Sequence, residues 1–276
     1  MGLTEEKMNY HNDQYIMNCI QQHYNEALKH FPEDKIVCLV LQGSQNYGLD
    51  TLNSDIDTKL IICPTFRDLV MNKQPISTTY IRANEEHIDF KDVRLYCQTL
   101  RKANSNFLEI LFSPYAIINP LYKSEWGRLT EAREAITHYD VKRAIKAMQG
   151  TMYTKYKQLE NESPAHMDAI EKFGYSPKEF CHLRRVEEFI TRYINGESYA
   201  DCLISKQPKL LKSIKNGCYS LYDVRWMART SLERTDEMCA KFLEQYDGTV
   251  NEDINALLDD VQYNIMKIAI KKEIGE

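Results

Sequence analysis

Two short apolar runs bracket a polar, glycine-containing segment, and that bracket constrains the fold more than anything else in the chain. Residues 35–41, KIVCLVL, form a continuous apolar run rich in β-branched side chains. A run of this length and kind reads as a buried strand. Residues 58–64, TKLIICP, read as a second strand, ended by Pro64. Between them lies the polar stretch from Gly43 to Asn53. Upstream, Ile16, Ile20, Tyr24 and Leu28 recur at helical spacing within residues 12–30, and Pro32 stops that helix. Downstream, residues 77–83 and 87–90 alternate as two further strands, and from Lys91 to Lys102 the pattern turns helical.

Beyond about residue 125 the strand patterns cease. Residues 138–159, 165–173, 177–195, 205–215, 220–245 and 252–273 read as helices, separated by Pro164, by the Gly174 to Pro177 segment, and by Gly196, Gly217 and Asp247-Gly248. The chain therefore shifts from mixed α/β to all-α, an α+β architecture. The expected division is a first domain over residues 1–125 and a helical domain over 126–276, with a soft boundary near residues 115–137. No internal repeat or low-complexity segment is visible.

Composition narrows the class. With 43% hydrophobic and 27% charged residues, the 276-residue chain is ordinary for a globular protein. No apolar run approaches the roughly 20 residues that span a bilayer, so no membrane partner is expected. The start MGLTEEKMNYHNDQY is polar, without a secretory apolar core, and lacks the Ser or Thr at the position a myristoylation signal needs. None of the eight cysteines forms a CxxC pair; the expectation is reduced, mostly buried thiols in a cytoplasmic protein. The net charge of -5 argues against extensive non-specific DNA binding, while local basic stretches remain able to hold a polyphosphate.

The chemistry sits in residues 41–62, LQGSQNYGLDTLNSDIDTKLII. Period-2 geometry puts Asp55 and Asp57 on one face of an extended segment, with Ile56 on the other. Two carboxylates so close repel one another unless a cation lies between them. Mg²⁺ suits that task, because it takes hard oxygen ligands and shares them with substrate phosphates. Gly43 and Ser44 follow a strand, where glycine lets a phosphate approach the backbone and a hydroxyl with exposed N–H groups can hold it. A third carboxylate is expected on a neighbouring strand. Asp89, between Ile88 and Phe90, is the candidate; Asp92 reads instead as the N-terminal cap of the following helix. Asn53 and Ser54 shape the turn before the second strand, and Ser54 is a further candidate for the phosphates. Tyr47 reads as a loop-packing aromatic and Gly48 as a tight backbone turn.

This arrangement resembles the DNA polymerase β-like nucleotidyltransferase superfamily. Its pattern is a hydrophobic residue and Gly-Ser, an interval of about ten residues, Asp-x-Asp, and a later Asp; Gly43, Ser44, Asp55, Asp57 and Asp89 match in order and spacing. The nearest likeness is to the bacterial and phage group of predicted nucleotidyltransferases. There Gly-Ser-x-x-x-Gly precedes Ser-Asp-x-Asp, positions filled here by Gly48 and Ser54. The stretch DFKDVRLYCQTLRKANSNFLEILFSP (89–114) also resembles that group. The resemblance covers residues 35 to about 115 with specific motifs and the helical remainder loosely. It implies a mixed sheet with helices, a site at one edge, and transfer of a nucleoside monophosphate from an NTP to a hydroxyl or phosphate with release of pyrophosphate.

In the helical half, Lys178, His182 and Arg185 recur at i, i+4 and i+7, a basic face able to reach a triphosphate or to serve as a solvated face neutralised by Glu179, Glu187 and Glu188. Lys155 and Lys157 are a weaker version of the same feature. Arg225 and Arg229, beside Trp226, read as structural ion-pair partners. No histidine spacing points to zinc. The expected reaction is a two-metal in-line attack on the α-phosphorus, with Mg²⁺ (or Mn²⁺) held by Asp55, Asp57 and Asp89. Asp89 would activate the acceptor, and Gly43 and Ser44 would hold the β- and γ-phosphates. The helical region would cover the nucleotide. The donor is an NTP; the acceptor stays open among RNA, protein and small molecules. A catalytically silent nucleotide sensor or partner-binding protein on the same fold is the rival expectation.

Overall fold

The computed structural model describes residues 10–52, 54–164 and 166–275. The chain forms two compact units, Met1–Asp140 with Val250–Glu276, and Val141–Thr249. The first carries α1 (Asp13–Ala27), β1 (Ile36–Gln42), β2 (Asp57–Ile62), α2 (Phe66–Val70), β3 (Ser77–Ile81), β4 (His87–Asp92), α3 (Val93–Arg101), α4 (Ser105–Leu108), β5 (Ala116–Ile118), α5 (Lys123–Glu131) and α6 (Arg133–Thr137). The second carries α7 (Val141–Gln158), α8 (Met167–Phe173), α9 (Pro177–Ile194), α10 (Tyr199–Leu203), α11 (Pro208–Lys215) and α12 (Leu221–Gln245). The last helix, α13 (Glu252–Ile274), returns to the first unit.

The sheet is mixed, in the order β3-β4-β2-β1-β5. β1 is antiparallel to both β2 and β5, β2 is parallel to β4, and β3 is antiparallel to β4. One face is apolar. Leu39, Leu41, Leu60, Ile62, Ile88 and Phe90 meet Ile16, Ile20 and Ala27 of α1 there. Because side chains alternate along a strand, the residues between these on β2 and β4 belong to the opposite face. They are Asp57, Lys59 and the buried Ile61, and His87, Asp89 and Lys91, and the candidate site is built on that face.

The mixed α/β start and helical continuation hold as expected. The first unit extends past the boundary drawn at residues 125 and 126, through α5 and α6, and it recovers α13 at the far end of the chain. The physical tie is Lys35. Its buried ammonium donates to the Ala269 carbonyl (3.1 Å) and to Glu273 (2.5 Å), and Glu273 also accepts from Phe66 N. β3 ends at Ile81, short of residue 83, because Arg82 N bonds Glu86 O in a turn that puts Glu85 at φ 67°. Within the second unit, α9 packs against α7, α10, α11 and α12. Among the described residues no helix is long and apolar enough to cross a membrane. All the cysteines are free, and all but Cys218 are buried.

Candidate active site

The Gly-Ser turn has a conformation that its glycine dictates. Gly43 sits at φ 117°, ψ -163°, a region essentially restricted to glycine. Ser44 then opens a single 3₁₀ turn, Ser44–Tyr47, which Gly48 closes in the left-handed region at φ 68°. Two side chains lock the turn. Asn46 Nδ2 donates to the Leu41 carbonyl at the end of β1, while its Oδ1 accepts from Ser113 of the Leu-Phe-Ser-Pro segment (2.7 Å). Gln45, fully buried, donates from Nε2 to the carbonyl of Asp55 at 2.8 Å. The turn and the carboxylate segment are thus held to each other directly. Gln45 Oε1 is buried and makes no hydrogen bond among the described residues.

The carboxylate segment alternates as its sequence predicts. Ile56 is buried in the core with α1, and the flanking Asp55 and Asp57 are the accessible residues. Ser54 braces the approach to them: its hydroxyl accepts from Thr51 N at 2.8 Å. Asn53 lies outside the described residues. Asp57 Oδ1 meets the backbone N–H of His87 (2.9 Å) and His87 Nδ1 (3.2 Å). Asp89 is across the β2–β4 pairing, in register with Lys59. Its two oxygens are both engaged, Oδ2 by the Lys59 ammonium at 2.7 Å and Oδ1 by the Thr79 hydroxyl at 2.5 Å. Burial alone would raise the Asp89 pKa. The charge and hydrogen bond of Lys59, the Thr79 hydroxyl and the charge of His87 outweigh it and hold the carboxyl below its ordinary value.

Asp92 is separate in role. It is buried at the N-cap of α3, accepting from Arg94 N and gripping the Arg94 guanidinium with both oxygens. This is the capping position expected of it.

Among the described residues no group of three His, Cys, Asp or Glu is arranged to hold a metal ion. The donor chemistry nonetheless fits one hard cation at Asp55 and Asp57, since Mg²⁺ takes one or two carboxylates and completes its shell with water and phosphate oxygens. Both Asp89 oxygens are already hydrogen-bonded, and each keeps a lone pair for a further ligand.

Sequence reasoning missed the residues that organise Asp89: Lys59, Lys91, Thr79 and Phe107. Lys59 is 2% exposed, and its Nζ lies 4.1 Å from the Phe107 ring centroid. The available signal was a lysine two positions after Asp57 inside an otherwise apolar strand, and therefore on the aspartate's face. Lys178, His182 and Arg185 lie in the second unit on α9. They gather there with Lys155 of α7 and Lys215 of α11: the His182 pKa is pushed well down, first by burial and then by Arg185, Lys155, Lys178 and Lys215. Lys155 is paired with Glu179 at 2.8 Å. Arg225 and Arg229 pair with Glu160 and Glu233, the structural role expected for them.

No curated protein sequence matches the chain. Among solved structures, it is similar to a nucleotidyltransferase-like protein from Exiguobacterium sibiricum at 12% identity and TM-score 0.31, covering 94% of this chain and 78% of that one. Residues 20–170, more than half of the chain, match the family described as RlaP, RNA repair pathway DNA polymerase beta family. The chain belongs to that family, and through it to the DNA polymerase β-like nucleotidyltransferase superfamily.

Proposed function

We propose that the chain transfers a nucleoside monophosphate from an NTP to an acceptor hydroxyl, releasing pyrophosphate, with Mg²⁺ or Mn²⁺ as its metal. The observation that carries this reading is the Gln45–Asp55 hydrogen bond, because it couples the phosphate-cradling turn to the paired carboxylates. An NTP needs both at once: its outer phosphates held and the charge around its α-phosphorus neutralised. Asp55 and Asp57 would hold the metal, with Asp89 a further ligand through its remaining lone pairs. A divalent cation there would neutralise the phosphates and the charge developing on the leaving oxygen. Gly43 and Ser44 take the β- and γ-phosphates, and Ser54 is a lesser contact. Asp89 accepts the proton of the acceptor hydroxyl. As the acceptor oxygen bonds to the α-phosphorus, the bond from that phosphorus to the bridging oxygen breaks. Lys178, His182 and Arg185, with Lys155 and Lys215, supply a second anion-binding surface, which fits a nucleotide. The family's description favours an RNA end as acceptor. Buried cysteines without disulfides fit the cytoplasm as the compartment.

A second reading is a silent nucleotide sensor. It is favoured by one observation, that both Asp89 oxygens are engaged within the protein. Incubation with each radiolabelled NTP, Mg²⁺ and RNA separates the two. Pyrophosphate release with label on RNA, lost in Asp55→Ala and Asp57→Ala, supports transfer. NTP binding with no turnover on RNA, protein or small molecules supports the sensor. Absence of NTP and metal binding ends both.

A further inference from the structure

The sheet order places the chemistry laterally. Gly43-Ser44 follows β1, Asp57 heads β2, and Asp89 lies on β4, on the other side of β2 from β1. If the donor phosphates sit at the β1 side, the acceptor enters from the side of β4 and β3. That side is cationic. Lys59 faces Asp89 in the parallel register, and Lys91 faces Ser77 in the antiparallel one. Lys59 Nζ is 4.1 Å and Lys91 Nζ 4.3 Å from the centroid of the same Phe107 ring, so one aromatic side chain gathers two ammonium groups. Lys102, at the C-cap of α3, adds a third charge that Lys91 feels.

Among the described residues the charges in this cluster do not balance. Asp89 is the carboxylate bound to it, and Lys59 already holds one of its oxygens. Lys91 is half-buried and donates to a neutral hydroxyl, Ser77 Oγ, at 3.1 Å. Its ammonium and that of Lys59 approach the same ring, so two like charges stand close together. An arriving anion would relieve that repulsion. The chemistry that fits is a phosphate ester, a hard oxyanion with several acceptor oxygens for several ammonium donors. In a nucleic-acid strand every sugar hydroxyl has a phosphate one linkage away, so a terminal hydroxyl at Asp89 carries its own phosphate towards the lysines.

We propose that Lys91, over the Phe107 ring, and Lys102, whose charge acts on Lys91, form the acceptor-side phosphate site above the buried Lys59, and that its ligand is the backbone of a single-stranded RNA end. This deepens the transfer reading and rests on it. Phosphate contacts of this kind fix position and carry no base preference.

The test uses the full chain with Mg²⁺, a fluorescent single-stranded RNA 12-mer ending in a 3′-hydroxyl, and a fluorescent non-hydrolysable NTP analogue. In Lys91→Gln with Lys102→Gln, RNA affinity should fall about tenfold or more. The log–log salt slope should flatten by about 1.4, as expected for two lost phosphate contacts on a single strand. NTP affinity should stay within about twofold of the original, which also shows that the variant is folded. Lys91→Arg should keep RNA affinity, because the charge stays. Unchanged RNA affinity in the double variant overturns the proposal. So does a loss of NTP affinity in its place, which would assign the lysines to the donor. If the unaltered protein binds the NTP but not RNA, the acceptor class is overturned while the transfer reading stands. If it binds neither, the transfer reading itself falls.

Discussion

Gln45, itself buried, donates its side-chain amide to the backbone carbonyl of the exposed Asp55, ten positions later, at 2.8 Å. That bond ties the Gly-Ser turn to the Asp55/Asp57 segment, the two parts of the proposed donor site. Gln45→Ala removes the tie and one hydrogen bond, a net cost of about 0.5–1.5 kcal/mol. The expected outcome is a stability loss of that size in urea unfolding and a larger fractional loss of kcat, because Asp55 is no longer held in place. Unchanged kcat at intact stability would show the tie to be irrelevant to catalysis.

Gly43 offers an independent way to disturb the same turn. Its φ of 117° is costly for any side chain, and a Cβ there would stand 3.4 Å from Gln45 Oε1. Gly43→Ala should therefore cost about 1–3 kcal/mol from backbone strain and weaken NTP binding in equilibrium dialysis. A variant of native stability and native NTP affinity would contradict the phosphate-cradle role.

Asp89 and Asp92 stand three residues apart, one proposed to react and the other a helix cap, and paired variants should separate them. Asp92→Ala removes an N-cap, at about 0.5–2 kcal/mol, together with the paired Arg94 contact. It should lower the melting temperature while leaving kcat per folded molecule intact. Asp89→Asn should reduce transfer by roughly 100-fold or more, the usual worth of a general base, at temperatures where circular dichroism is still native. The reverse assignment of losses would mean that Asp92 is the reacting carboxylate.

Glu86 should set an acid limit on stability. It accepts from buried His23, which also bonds Thr58 on β2, and it pairs with Arg82. Burial alone would raise its pKa; His23, the Asn84 side chain and Arg82 outweigh this and take it from 4.5 to about 2. A carboxylate depressed on folding stabilises fully above its unfolded value and loses that contribution as pH falls through the folded one. Melting temperature should fall progressively between pH 4.5 and about 2. Glu86→Gln should show a lower plateau and a shallower decline across that window. Parallel curves for the two proteins would exclude the network as a source of acid sensitivity.

The features legible in the sequence were those set by local periodicity. The alternation Asp55, Ile56, Asp57 needs no distant information, and Ile56 is indeed in the core. Asp92 as a cap was equally local, since a carboxylate before a helical run has an N–H to accept from. Lys59 was not legible as a partner of Asp89. The pairing depends on a parallel register between strands whose partners lie 30 residues apart. β5 escaped because its three residues are too few to show alternation, and it exists through pairing with β1, Cys38 opposite Ile118. The return of α13 escaped for a similar reason, because Lys35 meets Glu273 across 238 positions.

That return has a consequence for how the protein is made. Tyr139 and Asn251 are joined by a backbone hydrogen bond of 2.9 Å, although the whole second unit is threaded between them. A chain emerging from the ribosome N-terminus first exposes α1 and the strands long before α13 exists. During that interval the buried position of Lys35 is missing the carbonyl and the carboxylate that complete it. The helices of α7 to α12 are made in one uninterrupted stretch and have no such wait. The first unit, first to be translated, is thereby the last to be completed, because its fold closes only once α13 has emerged.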